Sequence, residues 1–219
     1  MATTQAPYII FEDVETGGLP PRDGVAFDQC ALTELASVVI DVVKLEIVEE
    51  KNWLIKPYKP GLTYSPGATK VTGLTVEILE RDGMDVKEVH AEHLALLKKY
   101  KKGRWLPVLA GHNFTSFDIP FLVNMFKHFN DDLYKYIQGI EDTRRWASYK
   151  WIEATNYKLG TVCSNLGVEL TDAHRALADT KANAEAFIEM IRLLRSEGQA
   201  DSEGRFRKNF RVDVEYKEF

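Results

Sequence analysis

A chain of 219 residues is long enough for one large domain that buries its apolar surface without disulfide staples. Apolar residues make up 45% and charged residues 28%, and no apolar run approaches the roughly 18 to 20 residues of a membrane span, which excludes a spanning helix. The net charge of −5 has the wrong sign for a protein that coats nucleic acid through Lys and Arg.

The opening MATTQAPYII lacks a basic segment followed by an apolar stretch and a cleavage site, so an intracellular location is expected. Tyr8 to Phe11 opens a strand that runs into Glu12-Asp13-Val14-Glu15, and Gly17-Gly18 with Pro20-Pro21 punctuate its end. Leu32 to Val43 is rich in β-branched residues and Lys44 to Ile55 alternates imperfectly, which predicts two more strands as antiparallel hairpin partners of the first. Prolines and glycines make Lys56 to Gly67 a loop, after which Thr75 to Arg81 and Val86 to Lys99 read as helices.

Pro107 to Ala110 is a short strand leading into Gly111-His112-Asn113. Ser116 is expected to cap a helix reaching about Phe129, with Pro120 in the first turn, where its missing N–H has no partner to lose. A short helix over Lys158 to Leu166 and a long one over Leu177 to Arg195 follow, the latter with Ala182, Ala186, Met190 and Leu194 on one face. Cys30 and Cys163 match no metal-ligand spacing and are expected to be reduced thiols. The expected division is one domain over 1–195 and a charged tail over 196–219, in which only Arg211 to Tyr216 alternates like a strand.

Several acids stand out. Asp13 and Glu15 lie two apart on a strand, so they share a face at about 6 to 7 Å along the backbone. Ordinary surface acids and a cation site are both compatible with that spacing. Asp118 falls in a first helical turn, where the macrodipole alone favours an acid by about 0.3 to 1 kcal/mol. Asp179 shares the apolar face of the last helix, and burying an unpaired carboxylate costs several kcal/mol, so a metal ion or a basic side chain must compensate it. His174 lies five residues earlier; a lone histidine is commonly a plain core or surface residue.

Three segments occur in order: Asp13-Val14-Glu15-Thr16 followed by Gly18-Leu19-Pro20, then Gly111-His112-Asn113-Phe114-Thr115-Ser116-Phe117-Asp118, then Ala173-His174-Arg175-Ala176-Leu177-Ala178-Asp179. Together they resemble the motifs of the DEDDh, or DnaQ-like, 3′→5′ exonuclease family, which includes the proofreading subunit of bacterial DNA polymerase III, the three-prime repair exonucleases, ribonuclease T and oligoribonuclease. Ala68 to Thr75, Glu141-Asp142-Thr143, Tyr157 to Gly160 and Leu166 to Val168 extend the resemblance over roughly Tyr8 to Leu194. Two positions depart from it. Thr72 stands where many members have a histidine, and Gly17 adds a glycine beside the acidic strand, so the loop there is expected to differ in shape.

The resemblance implies an α/β ribonuclease H-like fold, a five-stranded mixed sheet flanked by helices with the acids converging at its strand ends. It implies that Asp13, Glu15, Asp118 and Asp179 hold two Mg²⁺ or Mn²⁺ ions and that His174 is the general base toward the attacking water. Thr16, Leu19, His112, Asn113 and Phe117 are the implied substrate contacts, with Leu19 against the terminal bases. The expected substrate is the single-stranded or frayed 3′ end of DNA, and the products are nucleoside 5′-monophosphates and a shortened chain. A DNA polymerase is a candidate partner and a membrane is not.

Two other readings stay open. One is an RNA-trimming enzyme of the oligoribonuclease or ribonuclease T type. The other is a nucleic-acid-binding or polymerase-docking module, against which four converging anions weigh, since they repel phosphate unless metals are bound. Two basic clusters, Lys98 to Arg104 and Arg205 to Arg211, are either solvated faces or local guides for a strand.

Overall fold

Runs of Ile, Val, Leu and Phe near the start of the chain become strands because each can bury side chains on both faces of a sheet. In a computed structural model that describes residues 7–19, 26–171 and 175–194, these are β1 (Tyr8–Thr16), β2 (Leu32–Asp41) and β3 (Glu46–Leu54). The short segments β4 (Val108–Gly111) and β5 (Gly139–Asp142) complete the sheet, whose order among the described residues is β3-β2-β1-β4-β5. β1, β2 and β3 pair antiparallel, whereas β1, β4 and β5 run parallel. The C-terminal ends of β1, β4 and β5 therefore share one edge.

Alternation along β1 divides two cores. Ile10 and Val14 enter one with Leu35, Val39 and Leu109, covered by α4 (Val86–Lys99) and α5 (Asp118–His128). Ile9 and Phe11 enter the other with Val38 and Ile40, against Ala184, Phe187 and Ile188 of α8 (Ala176–Leu194). A third cluster joins Ala182, Ala186 and Met190 of α8 to Ala147 of α6 (Thr143–Lys150) and Val162 and Cys163 of α7 (Leu159–Leu166). The remaining helices are α1 (Ala26–Gln29), α2 (Pro66–Thr72) and α3 (Val76–Asp82), with a 3₁₀ turn at Leu133–Lys135. This is the ribonuclease H-like arrangement, a five-stranded mixed sheet flanked by helices. No described helix is long and apolar enough to cross a membrane.

Several sequence expectations change. The segment read as a loop over Lys56 to Gly67 ends in α2, because the Ser65 hydroxyl accepts the Ala68 N–H at 3.1 Å and Pro66 takes the first helical turn. Ser116 does not cap α5, which starts at Asp118. The chain instead turns so tightly that the N–H groups of Asp118 and Ile119 both reach the Phe114 carbonyl, at 3.1 and 3.0 Å. β5 and α6 were not predicted; Asp142 ends the one and caps the other, accepting the Arg144 N–H at 3.0 Å.

The departures at Thr72 and Gly17 both have local causes. Thr72 closes α2, its hydroxyl donating to the Ala68 carbonyl and accepting the Leu74 N–H, each at 3.1 Å. A Cβ on Gly17 would lie 2.0 Å from the Thr63 carbonyl oxygen, so only glycine fits where the chain leaving β1 passes the 63–65 segment. Cys30 and Cys163 are buried and free, as expected. Residues 196–219, with the alternation at Arg211 to Tyr216 and the basic cluster from Arg205, lie outside the described residues, as do Pro20 and Pro21.

Candidate active site

β1 carries its pattern of alternation past the apolar core, so the face that holds Ile9 and Phe11 next presents Asp13 and Glu15. That face is covered by α8, whose first turn contributes Asp179. One carboxylate oxygen from each of Asp13, Glu15 and Asp179 lies within 4.8 Å of the other two. Three of the four predicted acids thus meet where the sheet edge and the start of α8 come together.

Asp118, the fourth, is not in that group. It is buried at the start of α5, and its Oδ1 accepts the Val14 N–H at 3.0 Å, between the two acids of β1. Glu12 points to the other face of β1 and is buried against Ser37 at 3.1 Å and His93 at 2.5 Å.

The electrostatics follow from this crowding. Burial holds the Asp13 carboxyl well above the usual carboxylate range, and Asp118, Glu15, Asp179 and Glu34 push it the same way. Glu15 is raised to about 8, first by burial and then by Glu34 and Asp179, with Arg175 opposing. Asp118 is also raised well above its ordinary value, chiefly by burial. Acids that resist ionisation for lack of a counter-charge form an all-oxygen donor set, which fits a hard divalent cation. The residues present therefore suit the Mg²⁺ or Mn²⁺ expected from the sequence.

A second network braces the site from the side of β4 and β5. His112 engages Tyr157 and Thr143: Nε2 donates to the Tyr157 carbonyl at 2.7 Å and Nδ1 lies 3.0 Å from the Thr143 hydroxyl. Burial lowers the His112 pKa, so the ring is neutral, its proton sits on Nε2 and Nδ1 accepts from Thr143. Thr143 also lies 2.7 Å from the Asn183 amide, one helical turn beyond Asp179 on α8. Since the single hydroxyl proton goes to His112, the Asn183 side chain donates its N–H to Thr143.

The other predicted contacts occupy different settings. Leu19 is 85% exposed just beyond β1. Thr16 is buried and donates to the Gly18 carbonyl at 2.7 Å, and Phe117 packs on Phe121 with ring centroids 5.7 Å apart. Asn113 takes a left-handed backbone at φ 62°, its N–H on Asp142 and its side-chain oxygen accepting from Arg144 at 2.7 Å. An open groove of about 480 Å³ runs past Asn113, Thr115, Asp142, Arg144 and Tyr157. His174 lies outside the described residues.

Sequence reasoning missed Glu34, Thr143, Asn183 and the pairing of Arg175. Glu34 is fully buried on β2 directly opposite Glu15, and its carboxylate accepts from Arg175 Nη2 at 3.0 Å. An acid inside the run Leu32-Thr33-Glu34-Leu35-Ala36 was the available signal, since lone acids in buried strands need partners.

Comparison with known proteins follows the same lines. The family model described as exonuclease matches residues 10–187. The PolC-type DNA polymerase III of Bacillus cereus is 32% identical over 185 residues, covering 84% of this chain and 11% of that protein. Its counterpart in Bacillus subtilis is 30% identical, with the same 84% and 11% coverage. The chain therefore corresponds to a small part of these relatives. Exonuclease I of E. coli, solved in complex with a dT13 oligonucleotide, superposes with a TM-score of 0.70 at 21% identity, covering 87% of this chain and 42% of that one. A full-length 3′-exonuclease superposes with a TM-score of 0.68 at 18% identity, covering 88% of this chain and 62% of that one. At these identities the structural likeness shows a shared fold.

Proposed function

This chain belongs to the exonuclease family, and from that premise we propose that it releases nucleoside 5′-monophosphates from the 3′ ends of single-stranded DNA with two Mg²⁺ or Mn²⁺ ions as cofactors. The observation that carries this reading is the meeting of Asp13, Glu15 and Asp179 oxygens within 4.8 Å. With Asp118 beside them, these acids would hold the ions. Divalent cations bound there supply charge stabilisation at a phosphate and a more acidic water.

The chain's own residues do the rest. His174 takes the proton from the attacking water, as a general base with a pKa near neutrality. Leu19 lies against the terminal base, a role supported by its exposure beside the acidic strand. Asn113 and Arg144 face the strand from the groove, where the guanidinium meets a phosphate oxygen. Thr16, His112 and Phe117 shape the walls of the site, because their polar groups or rings are engaged within the protein. Single-stranded DNA is favoured over RNA because the solved exonuclease I neighbour holds an oligodeoxynucleotide. The PolC-type relatives support a place beside a DNA polymerase.

The test uses 5′-end-labelled single-stranded DNA, duplex DNA and single-stranded RNA, each with Mg²⁺ or with EDTA. The expected result is a ladder shortening from the 3′ end, fastest on single-stranded DNA and absent in EDTA. Faster loss of RNA would move the reading to an RNA-trimming enzyme. Unchanged cleavage in EDTA, or shortening from the 5′ end, would sink it.

A further inference from the structure

Glu34 stands in an electrostatically adverse place. It is 0% exposed, lies opposite Glu15 across the β1–β2 pairing, and raises the pKa of both Glu15 and Asp13. A buried carboxylate costs several kcal/mol unless it is paired and hydrogen-bonded, and a neutral side chain here would relieve the crowded acids. Its own bonds explain why an anion is placed there. Oε1 accepts from Asn52 on β3 at 2.8 Å and from Arg175 Nη2 at 3.0 Å. Oε2 accepts from Arg175 Nε and from the Ala176 N–H, both at 3.4 Å. A two-pronged arginine–carboxylate pair thus ties the sheet to the start of α8.

We infer that Glu34 is a positioning residue that, through Arg175 and the Ala176 N–H, fixes the start of α8 and so the point where His174 joins that helix. The inference rests on the reading in which His174 is the general base. The body of α8 is held independently, by Ala184, Phe187 and Ile188 in one core and Ala182, Ala186 and Met190 in another. Loss of the Glu34 clamp therefore leaves the helix in place and loosens its first residues. Misplacing a catalytic group by about 1 Å costs on the order of 10² in rate. The expected signature is a fall in kcat with metal affinity kept.

Four variants of the full chain test this: Glu34→Gln, the double Glu34→Gln/Arg175→Gln, His174→Ala and Asp179→Asn. The double variant removes both charges together, so neither is left buried alone if the single change impairs folding. Each is assayed for single-turnover hydrolysis of labelled single-stranded DNA in Mg²⁺, with and without added imidazole, and for Mn²⁺ affinity by calorimetry. Glu34→Gln and the double are expected to lose on the order of 10² in kcat while their Mn²⁺ Kd stays within about threefold of the parent.

Imidazole is expected to restore about tenfold or more in His174→Ala and in both Glu34 variants, because each lacks a base in position, and to restore nothing in Asp179→Asn. A kcat within about threefold of the parent in both Glu34 variants would overturn the inference. So would imidazole rescue of His174→Ala without rescue of either Glu34 variant. A His174→Ala protein with the parent rate would instead remove the reading of His174 on which the inference stands.

Discussion

Asp118 has two roles that pull in opposite directions. Its Oδ1 satisfies the Val14 N–H across 104 residues of sequence, and its charge adds to an already crowded set of anions. Asp118→Asn keeps an acceptor for Val14 and removes the charge, whereas Asp118→Ala removes both. In EDTA near neutral pH, the Asn variant is expected to melt at or above the parent temperature. The Ala variant is expected to be less stable than the Asn variant by about 1 to 3 kcal/mol, since a buried N–H then lacks a partner. Both should lose at least about 10² in exonuclease rate. Equal melting of the two variants would deny the Val14 bond its structural role. The motif made Asp118 legible as a site acid, but a backbone bond so distant in sequence depends on how α5 docks beside β1.

Helix α6 and strand β5 show where element-level reading stops. β5 has four residues, all half-buried, so it lacks the apolar signature that made β1 and β2 visible. α6 gains its start from Asp142 and its anchor from Thr143, neither of which follows from helical periodicity. Thr143→Val keeps the shape of the side chain and removes its hydroxyl from His112 and Asn183. It is expected to cost about 1 to 3 kcal/mol in chemical denaturation, because buried polar groups on two elements lose a partner. Mn²⁺ affinity should fall with it, since Asn183 stands one turn from Asp179. Full retention of both stability and affinity would show that the network does not brace α8. Glu34 stayed hidden for a related reason: only the register that sets it opposite Glu15 turns an acid in an apolar strand into part of the site.

At the scale of the whole molecule, the acids make stability depend on pH. The folded pKa of Glu15, about 8, exceeds its ordinary 4.5, and Asp13 and Asp118 shift in the same direction. A carboxyl whose pKa is raised by folding contributes stability that is fully present below its unfolded pKa and lost as pH rises through the folded value. In EDTA the melting temperature should therefore fall between about pH 5 and about pH 8.5. Added Mg²⁺ should raise it more at the upper pH, where the carboxylates are ionised and ready to bind. Equal stabilisation at both pH values, followed by scanning calorimetry, would mean that the raised carboxyls are not the groups that receive the cation.

The meeting of β1 with α8 has a further consequence during synthesis. A ribosome delivers Asp13 and Glu15 early and Asp179 late, because the acids come from the first described strand and the last described helix. A nascent chain that ends before α8 carries two neighbouring acids but no third to join them, so the nucleic acids around it meet no assembled hydrolytic site until the last helix docks.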